Sequence, residues 1–143
     1  MFYFYRKVHY HETDKMGITH HSNYIKYMEE ARVSYLNTLG FGYKKLEDLG
    51  LVSPVISVNC EYLRPTTFDD ELEIIVSLKD YNGIRIEIEY SIKKFGKIAA
   101  TGTSKHCFIS PNGVPVVIKK EYPEFHNILV HELSDSSNQE LLK

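Results

Sequence analysis

Apolar and polar residues alternate over residues 2–10. Phe2, Phe4, Val8 and Tyr10 share one face, broken by Arg6, and Tyr3, Tyr5, Lys7 and His9 share the other. A period of two with one apolar face predicts a half-buried strand. Residues 11–21 read as a polar connector. From there the period becomes helical. Stepping about 100° per residue, Tyr24, Tyr27, Met28, Ala31, Tyr35 and Leu39 gather on one side, widened by Ile25 and Leu36, with Lys26, Glu30, Ser34 and Asn37 opposite. This predicts an amphipathic helix of roughly four to five turns, with Ser22 as its N-cap and Gly40 just past its end. Two polar residues interrupt the stripe: Arg32 within it and Glu29 at its margin. A short second helix is expected over about 43–49.

The remainder reads as strands. Ile56, Val58, Cys60 and Tyr62 alternate with Ser57, Asn59 and Glu61 until Arg64-Pro65 breaks the run. Leu72, Ile74, Val76 and Leu78 alternate with Glu71, Glu73, Ser77 and Lys79. Asn82-Gly83 marks a hairpin, and Ile84, Ile86, Ile88, Tyr90 and Ile92 then alternate with Arg85, Glu87, Glu89 and Ser91. Phe95-Gly96 is a further turn. Residues 97–109 form another strand, in which Gly102 suits a bulge or a close approach. Pro111-Asn112-Gly113 turns the chain into a short last strand, Val114 to Ile118, and residues 121–133 suit a terminal helix. Residues 134–143 read as a polar, frayed tail.

One long helix against five or six mostly antiparallel strands is an α+β layer arrangement. The expected domain is residues 1–133, with 134–143 as its tail. A single helix cannot cover such a sheet, so bare sheet surface and edges call for a partner subunit.

Composition narrows the classes. The 143 residues, 43% apolar and 25% charged, suit one ordinary globular domain. A net charge of -2 offers nothing to a nucleic acid. No run is long enough to span a membrane, and Met1 to Lys7 lacks the apolar stretch of a signal peptide. Cys60 and Cys107 fall in no metal or redox spacing and read as reduced thiols of a cytoplasmic protein.

The chemistry concentrates in Asp14 to Tyr24. A carboxylate, a glycine and the pair His20-His21 sit just ahead of the helix. A helix N-terminus offers unpaired N–H groups and a positive dipole end, suited to a developing oxyanion. A nearby carboxylate supplies a base or a nucleophile. The pairing points to acyl transfer or hydrolysis. The bland reading of Asp14, an Asx-turn residue ahead of a helix, stands beside it. Tyr24, Tyr27 and Met28 suit either an acyl pocket or plain core. Arg32 needs a partner, with Glu29 or an acidic strand residue as the expected one.

The words Tyr10-His11-Glu12-Thr13-Asp14 and Gly17-Ile-Thr-His-His21-Ser-Asn23-Tyr24 resemble the hotdog-fold acyl-CoA thioesterases. Within them the likeness is to the 4-hydroxybenzoyl-CoA thioesterase group and its YbgC-like branch. The branch signature, D-T-D-x-x-G-x-V-x-H-x-N-Y with E-x-A-R on the helix, meets Glu12-Thr13-Asp14, Gly17, His21, Asn23, Tyr24, Glu29, Ala31 and Arg32 in register. Tyr62-Leu63-Arg64-Pro65, Asp69-Asp70-Glu71-Leu72 and Pro111-Asn112-Gly113-Val114-Pro115 extend the likeness to about residues 3–118. Glu12 departs from the usual aspartate start, and Lys15-Met16 replace small residues.

The resemblance implies a thioesterase that releases free acid and CoA without a cofactor or metal. Asp14 is the implied catalytic carboxylate, as nucleophile or general base, and His21 the implied oxyanion residue through its backbone. Gly17, Asn23, Tyr24, Met28 and Arg64 are implied substrate contacts, Arg64 toward the CoA phosphates with Lys105, Lys119 and Lys120 as further candidates, and Glu29 is a reserve carboxylate. The substrate is an acyl-CoA or an acyl-carrier-protein thioester, and the assembly a homodimer or homotetramer. Two other classes remain: a hotdog module that binds acyl thioesters without turnover, and a metal hydrolase built from His9, His11, Asp14, His20 and His21.

Overall fold

The computed structural model describes residues 1–141, with side chains to residue 138. Its frame is a five-stranded sheet of β1 (Phe2–Lys7), β2 (Val55–Tyr62), β3 (Glu71–Tyr81), β4 (Arg85–Lys94) and β5 (Lys97–Cys107). The spatial order is β1-β3-β4-β5-β2, every neighbouring pair antiparallel. The alternating runs become strands because each pairs at a register that sends its apolar set to one face. Leu72, Ile74 and Val76 of β3 thus stand beside Lys94, Ile92 and Tyr90 of β4. The β3–β4 turn carries Gly83 at φ +93°, and Phe95-Gly96 turns β4 into β5 with both residues at positive φ, backbone that glycine adopts without a steric penalty.

Helix α1 (Ser22–Thr38) lies on the apolar face and buries Tyr24, Tyr27, Met28, Ala31, Tyr35 and Leu36. Its seat is Gly102 of β5, where a Cβ would fall 2.9 Å from the Met28 Sδ and Cε and 2.7 Å from the Asn59 carbonyl oxygen. Gly102 therefore serves close approach. After Gly40 (φ +87°) the chain forms α2 (Tyr43–Asp48) before entering β2.

Several expectations meet corrections. β1 ends at Lys7; its pairing continues for one residue, Val8 N–H to Asp70 O and Asp69 N–H to Val8 O, both at 2.9 Å, and residues 10–12 coil into a 3₁₀ turn. Ser22 is the first helical residue and not the cap. His21 already has helical backbone angles, φ −55° and ψ −31°, while the Ser22 hydroxyl faces His20 Nδ1 at 2.8 Å. The last strand does not form. Ile109 bridges singly to Val52 and to Pro115, which has no N–H to extend a ladder. Ile118 then begins a one-turn helix, α3 (Ile118–Glu121). The terminal helix does not stop at residue 133: α4 spans Pro123–Leu141, so most of the expected tail is helical. Tertiary docking carries it, with Phe125 and Leu129 at 0% exposure, Phe125 stacked on Phe41 at 4.3 Å, and the Tyr35 hydroxyl bonded to Glu132 at 2.7 Å. Residues 142 and 143 of that tail lie outside the described residues.

Candidate active site

The connector is held in place from both ends. Thr13 and Thr19 bridge, Asp14 N–H bonds the Ile18 carbonyl at 2.9 Å, and Gly17 N–H bonds the Asp14 carbonyl at 3.0 Å. Gly17 closes this tight turn at φ +77°. One oxygen of the Asp14 carboxylate accepts the Met16 N–H at 2.8 Å, an Asx turn that fixes the side chain and leaves the second oxygen for other partners. The strand returning to the helix is pinned by His20 N–H to the Glu12 carbonyl at 2.8 Å, and the Asn23 amide donates to the same carbonyl at 2.9 Å. Asn23 is therefore a buried brace for the connector.

The entrance to α1 begins with a tight turn, Asn23 N–H to His20 O at 3.0 Å and Tyr24 N–H to His21 O at 3.3 Å. The Ser22 N–H reaches His20 Nδ1 at 3.2 Å. Among the described residues no acceptor is assigned to the His21 N–H. The Tyr62 hydroxyl donates to the His21 carbonyl at 3.1 Å, and its ring meets those of His21 and Tyr24 edge-on at 6.2 and 5.3 Å.

Asp14, His21, Tyr24 and Arg64 come together around one open groove of about 410 Å³, whose other walls are Met16, Ile18, Thr19, Tyr62, Leu63 and Pro65. Its buried flank is a hydroxyl chain: Tyr24 Oη to Thr66 Oγ1 at 2.8 Å and Thr66 Oγ1 to Thr19 Oγ1 at 2.6 Å. Burial pushes the Tyr24 hydroxyl above its ordinary pKa, so it is neutral there. Arg64 is anchored by a 2.6 Å bond to the Ile98 carbonyl.

The other sequence candidates lie elsewhere. Asn23 borders a wider neighbouring groove with Asp14, His11, His20 and Lys26. Met28 is 1% exposed and seated on Gly102, so it belongs to the core. Glu29 is exposed on α1, and neither it nor Gly17, Lys105, Lys119 or Lys120 borders the groove. Tyr62, Thr19 and Thr66 are the participants that sequence reasoning missed. The aromatic opening the Tyr62-Leu63-Arg64-Pro65 word was the available signal.

Below the entrance lies the ion group that Arg6 announced by interrupting the β1 face. Its guanidinium pairs with Glu12 and, at 3.0 Å, with Glu30. Burial raises the Glu12 carboxyl, but Arg6, the His9 N–H at 2.7 Å and the Tyr27 hydroxyl at 2.9 Å together hold it below the usual carboxylate range. Arg32 is not paired with Glu29 or with a strand carboxylate. On the sheet-facing side of α1 it meets hydroxyls, Tyr43 Oη and Tyr90 Oη, each at 3.3 Å. Tyr90 continues to Ser104 and Ser104 to His106 Nε2, both at 2.7 Å. The five residues of a metal hydrolase do not assemble: His9 and His11 gather with Glu12, while His20 is tied to Ser22.

Comparison with known proteins accords with this architecture. The model of the thioesterase-like superfamily matches residues 8–121. An Aquifex aeolicus protein provisionally described as an esterase is 38% identical over 123 residues, covering 86% of this chain and 95% of its own. Bacillus subtilis YneP, provisionally described as an acyl-CoA thioesterase, is 34% identical over 122 residues, covering 84% and 88%. Among solved structures, the DHNA-CoA thioesterase of Staphylococcus aureus superimposes with a TM-score of 0.88 at 28% identity, covering 96% of this chain and 93% of its own. A matched family model over most of the chain, relatives above 30% identity and a close structural superposition lead to one conclusion: the chain belongs to the thioesterase-like superfamily, has the hotdog fold, and is a thioester hydrolase.

Proposed function

We propose that the protein hydrolyses acyl-CoA thioesters to free acid and CoA, with Asp14 as the reacting carboxylate and the backbone N–H of His21 as donor to the thioester oxygen. The observation that carries this reading is that Asp14 and His21 border one groove while the His21 N–H has no assigned acceptor among the described residues. The names of YneP and of YbgC from Haemophilus influenzae, 28% identical over 125 residues, support an acyl-CoA substrate.

Hydrolysis needs attack at the carbonyl carbon and loss of a thiolate. A thiolate leaves readily, so a strong acid is not needed. In one route Asp14 takes a proton from water as its oxygen attacks, the C–S bond breaks and CoA leaves. In the other the carboxylate attacks directly, giving a mixed anhydride and CoA thiolate, and water then hydrolyses the anhydride. In both, the negative oxygen gains a hydrogen bond from His21 N–H and the positive end of α1. Tyr24 and Tyr62 wall the acyl end, and Arg64 offers its charge to the phosphates. An acyl-carrier-protein thioester presents the same reacting group, and a substrate panel separates the two carriers.

The active unit is a homodimer, which can pair further into a tetramer. β2 supports this: it is an edge strand whose apolar residues Ile56, Val58 and Tyr62 are 43%, 37% and 47% exposed. Among the described residues no helix is long and apolar enough to cross a membrane. The unpaired thiols Cys60 and Cys107 support a cytoplasmic, reducing setting.

The test is turnover on a short acyl-CoA, followed with a thiol reagent. Asp14→Asn should lose at least about a hundredfold, the usual scale of a positioned acid–base group. His21→Ala keeps the N–H and should keep measurable turnover, whereas His21→Pro removes it and should not, with circular dichroism as the folding control. A folded Asp14→Asn enzyme near wild-type rate overturns the assignment of Asp14, and wild-type protein that binds acyl-CoA without releasing CoA makes it a binding module.

A further inference from the structure

The turn that ends β1 assembles a second cluster, which the hydrolytic reading does not use. One ring nitrogen each of His9 and His11 and a carboxylate oxygen of Glu12 lie within 4.8 Å of one another. The two rings stand 5.5 Å apart between centroids at an interplanar angle of 62°. Two imidazoles on one tetrahedral ion, with metal–nitrogen bonds of about 2.0–2.1 Å, hold their centroids about 5 Å apart. The spacing is that of a chelating pair. His20 and His21, by contrast, stack at 4.3 Å and 30°, with His20 Nδ1 occupied by Ser22.

Glu12 completes the set. It is 3% exposed, and all three of its assigned donors, Arg6, the His9 N–H and the Tyr27 hydroxyl, converge on Oε1. They fix the carboxylate and leave Oε2 as the oxygen able to bind. The surroundings tolerate a cation, because the single Arg6 guanidinium is shared by two carboxylates, Glu12 and Glu30. The other such cluster among the described residues, His131, Glu132 and Asp135 on α4, is less suited: His131 is already paired with Asp135 at 3.3 Å and Glu132 accepts from Tyr35.

We propose that His9, His11 and Glu12 bind a divalent first-row transition-metal ion, zinc foremost. Two imidazoles and one carboxylate select borderline ions of this class over magnesium or calcium, which favour oxygen ligands. Three protein ligands leave the fourth position to water. The site asks nothing of Asp14, His20 or His21. Its consequence is mechanical, because the Glu12 carbonyl holds His20 N–H and the Asn23 amide, so an ion on Glu12 ties β1 to the connector.

Calorimetric titration of the full chain, freed of metal by chelator, tests this with zinc chloride and with magnesium chloride as control. The expected result is one zinc per chain and no magnesium binding, and cobalt should give the d–d absorption of a four-coordinate site. His9→Gln and His11→Gln should each weaken zinc by at least the roughly tenfold that even an outer-shell change costs, and His131→Gln should leave it unchanged. Both residues are exposed, so the fold is not at stake. Zinc affinity weaker than about 100 μM in the wild type, unchanged binding in the His9→Gln/His11→Gln double variant, or loss of binding with His131→Gln overturns the proposal. The titration reads binding alone, so its failure leaves the hydrolytic reading untouched.

Discussion

Strands β2 and β3 carry the same alternation in sequence and meet opposite fates. In β3 the apolar set Leu72, Ile74, Val76 and Leu78 is 0% exposed, whereas in β2 Ile56 and Val58 remain 43% and 37% exposed on the isolated chain. β3 lies between β1 and β4 and beneath α1 and α4; β2 pairs with β5 alone at the sheet edge, and α1 meets it through Tyr24 against Tyr62. Met28 seats the helix on Gly102 of β5, and Ile56 and Val58 of β2 stay bare beside it. A period-two pattern states which side of a strand is apolar and is silent on what covers it.

The contrast can be broken most strongly in β3. Ile74→Ala deletes a side chain with no room for solvent to follow and should cost about 2–5 kcal/mol in urea unfolding, the usual range for such core truncations. Ile56→Ala should cost under about 1 kcal/mol in the protomer, as partly exposed positions do. An Ile56→Ala cost that grows with protein concentration is the contribution of a covering partner.

The next largest effect is on assembly. Val58→Glu places a charge in the bare patch, and sedimentation should show the variant as a 16.6 kDa monomer where the wild type is heavier. A wild type that sediments as a fully active monomer at working concentration removes the partner from β2.

What was legible in the sequence divides along the same line. β3, β4 and their hairpin were readable because strand, turn and strand are contiguous and each local preference agrees with the fold. The connector was readable for the same reason, Asp14 to Tyr24 being one word. Tyr62 and Thr66 were not, because they reach the site from 41 and 42 residues downstream of their partners His21 and Tyr24. Arg32 was given a carboxylate from its own helix or a strand, and its partner Tyr90 is a hydroxyl 58 residues away. The polar run after Leu133 reads as a tail by composition, yet Phe125, Leu129 and Glu132 dock the helix that carries it. Local pattern reports faces and turns, while pairings across the core depend on register and packing.

The finest effect lies on β5, the border between covered and bare strands. His106 pairs across the sheet with Val55 of β2 on one side and Ile86 of β4 on the other, and is 1% exposed. Burial, and then the nearby Arg32 charge, push its pKa down to about 4. Ser104 holds Nε2, and among the described residues Nδ1 has no partner. An unfolded histidine titrates near 6.5. Between those values the unfolded chain binds the extra proton, so stability is complete above about pH 6.5 and falls as pH drops toward about 4. Glu12 and Asp70 are carboxyls held below their ordinary range, so the stability they add is lost only under more acidic conditions. Urea unfolding between about pH 6.5 and 5 therefore isolates the imidazole. Wild type should lose stability across that window, and His106→Gln should flatten the slope. An equal slope in both proteins means that water reaches the ring from the β2 side, and the border of the covered core then lies at β4.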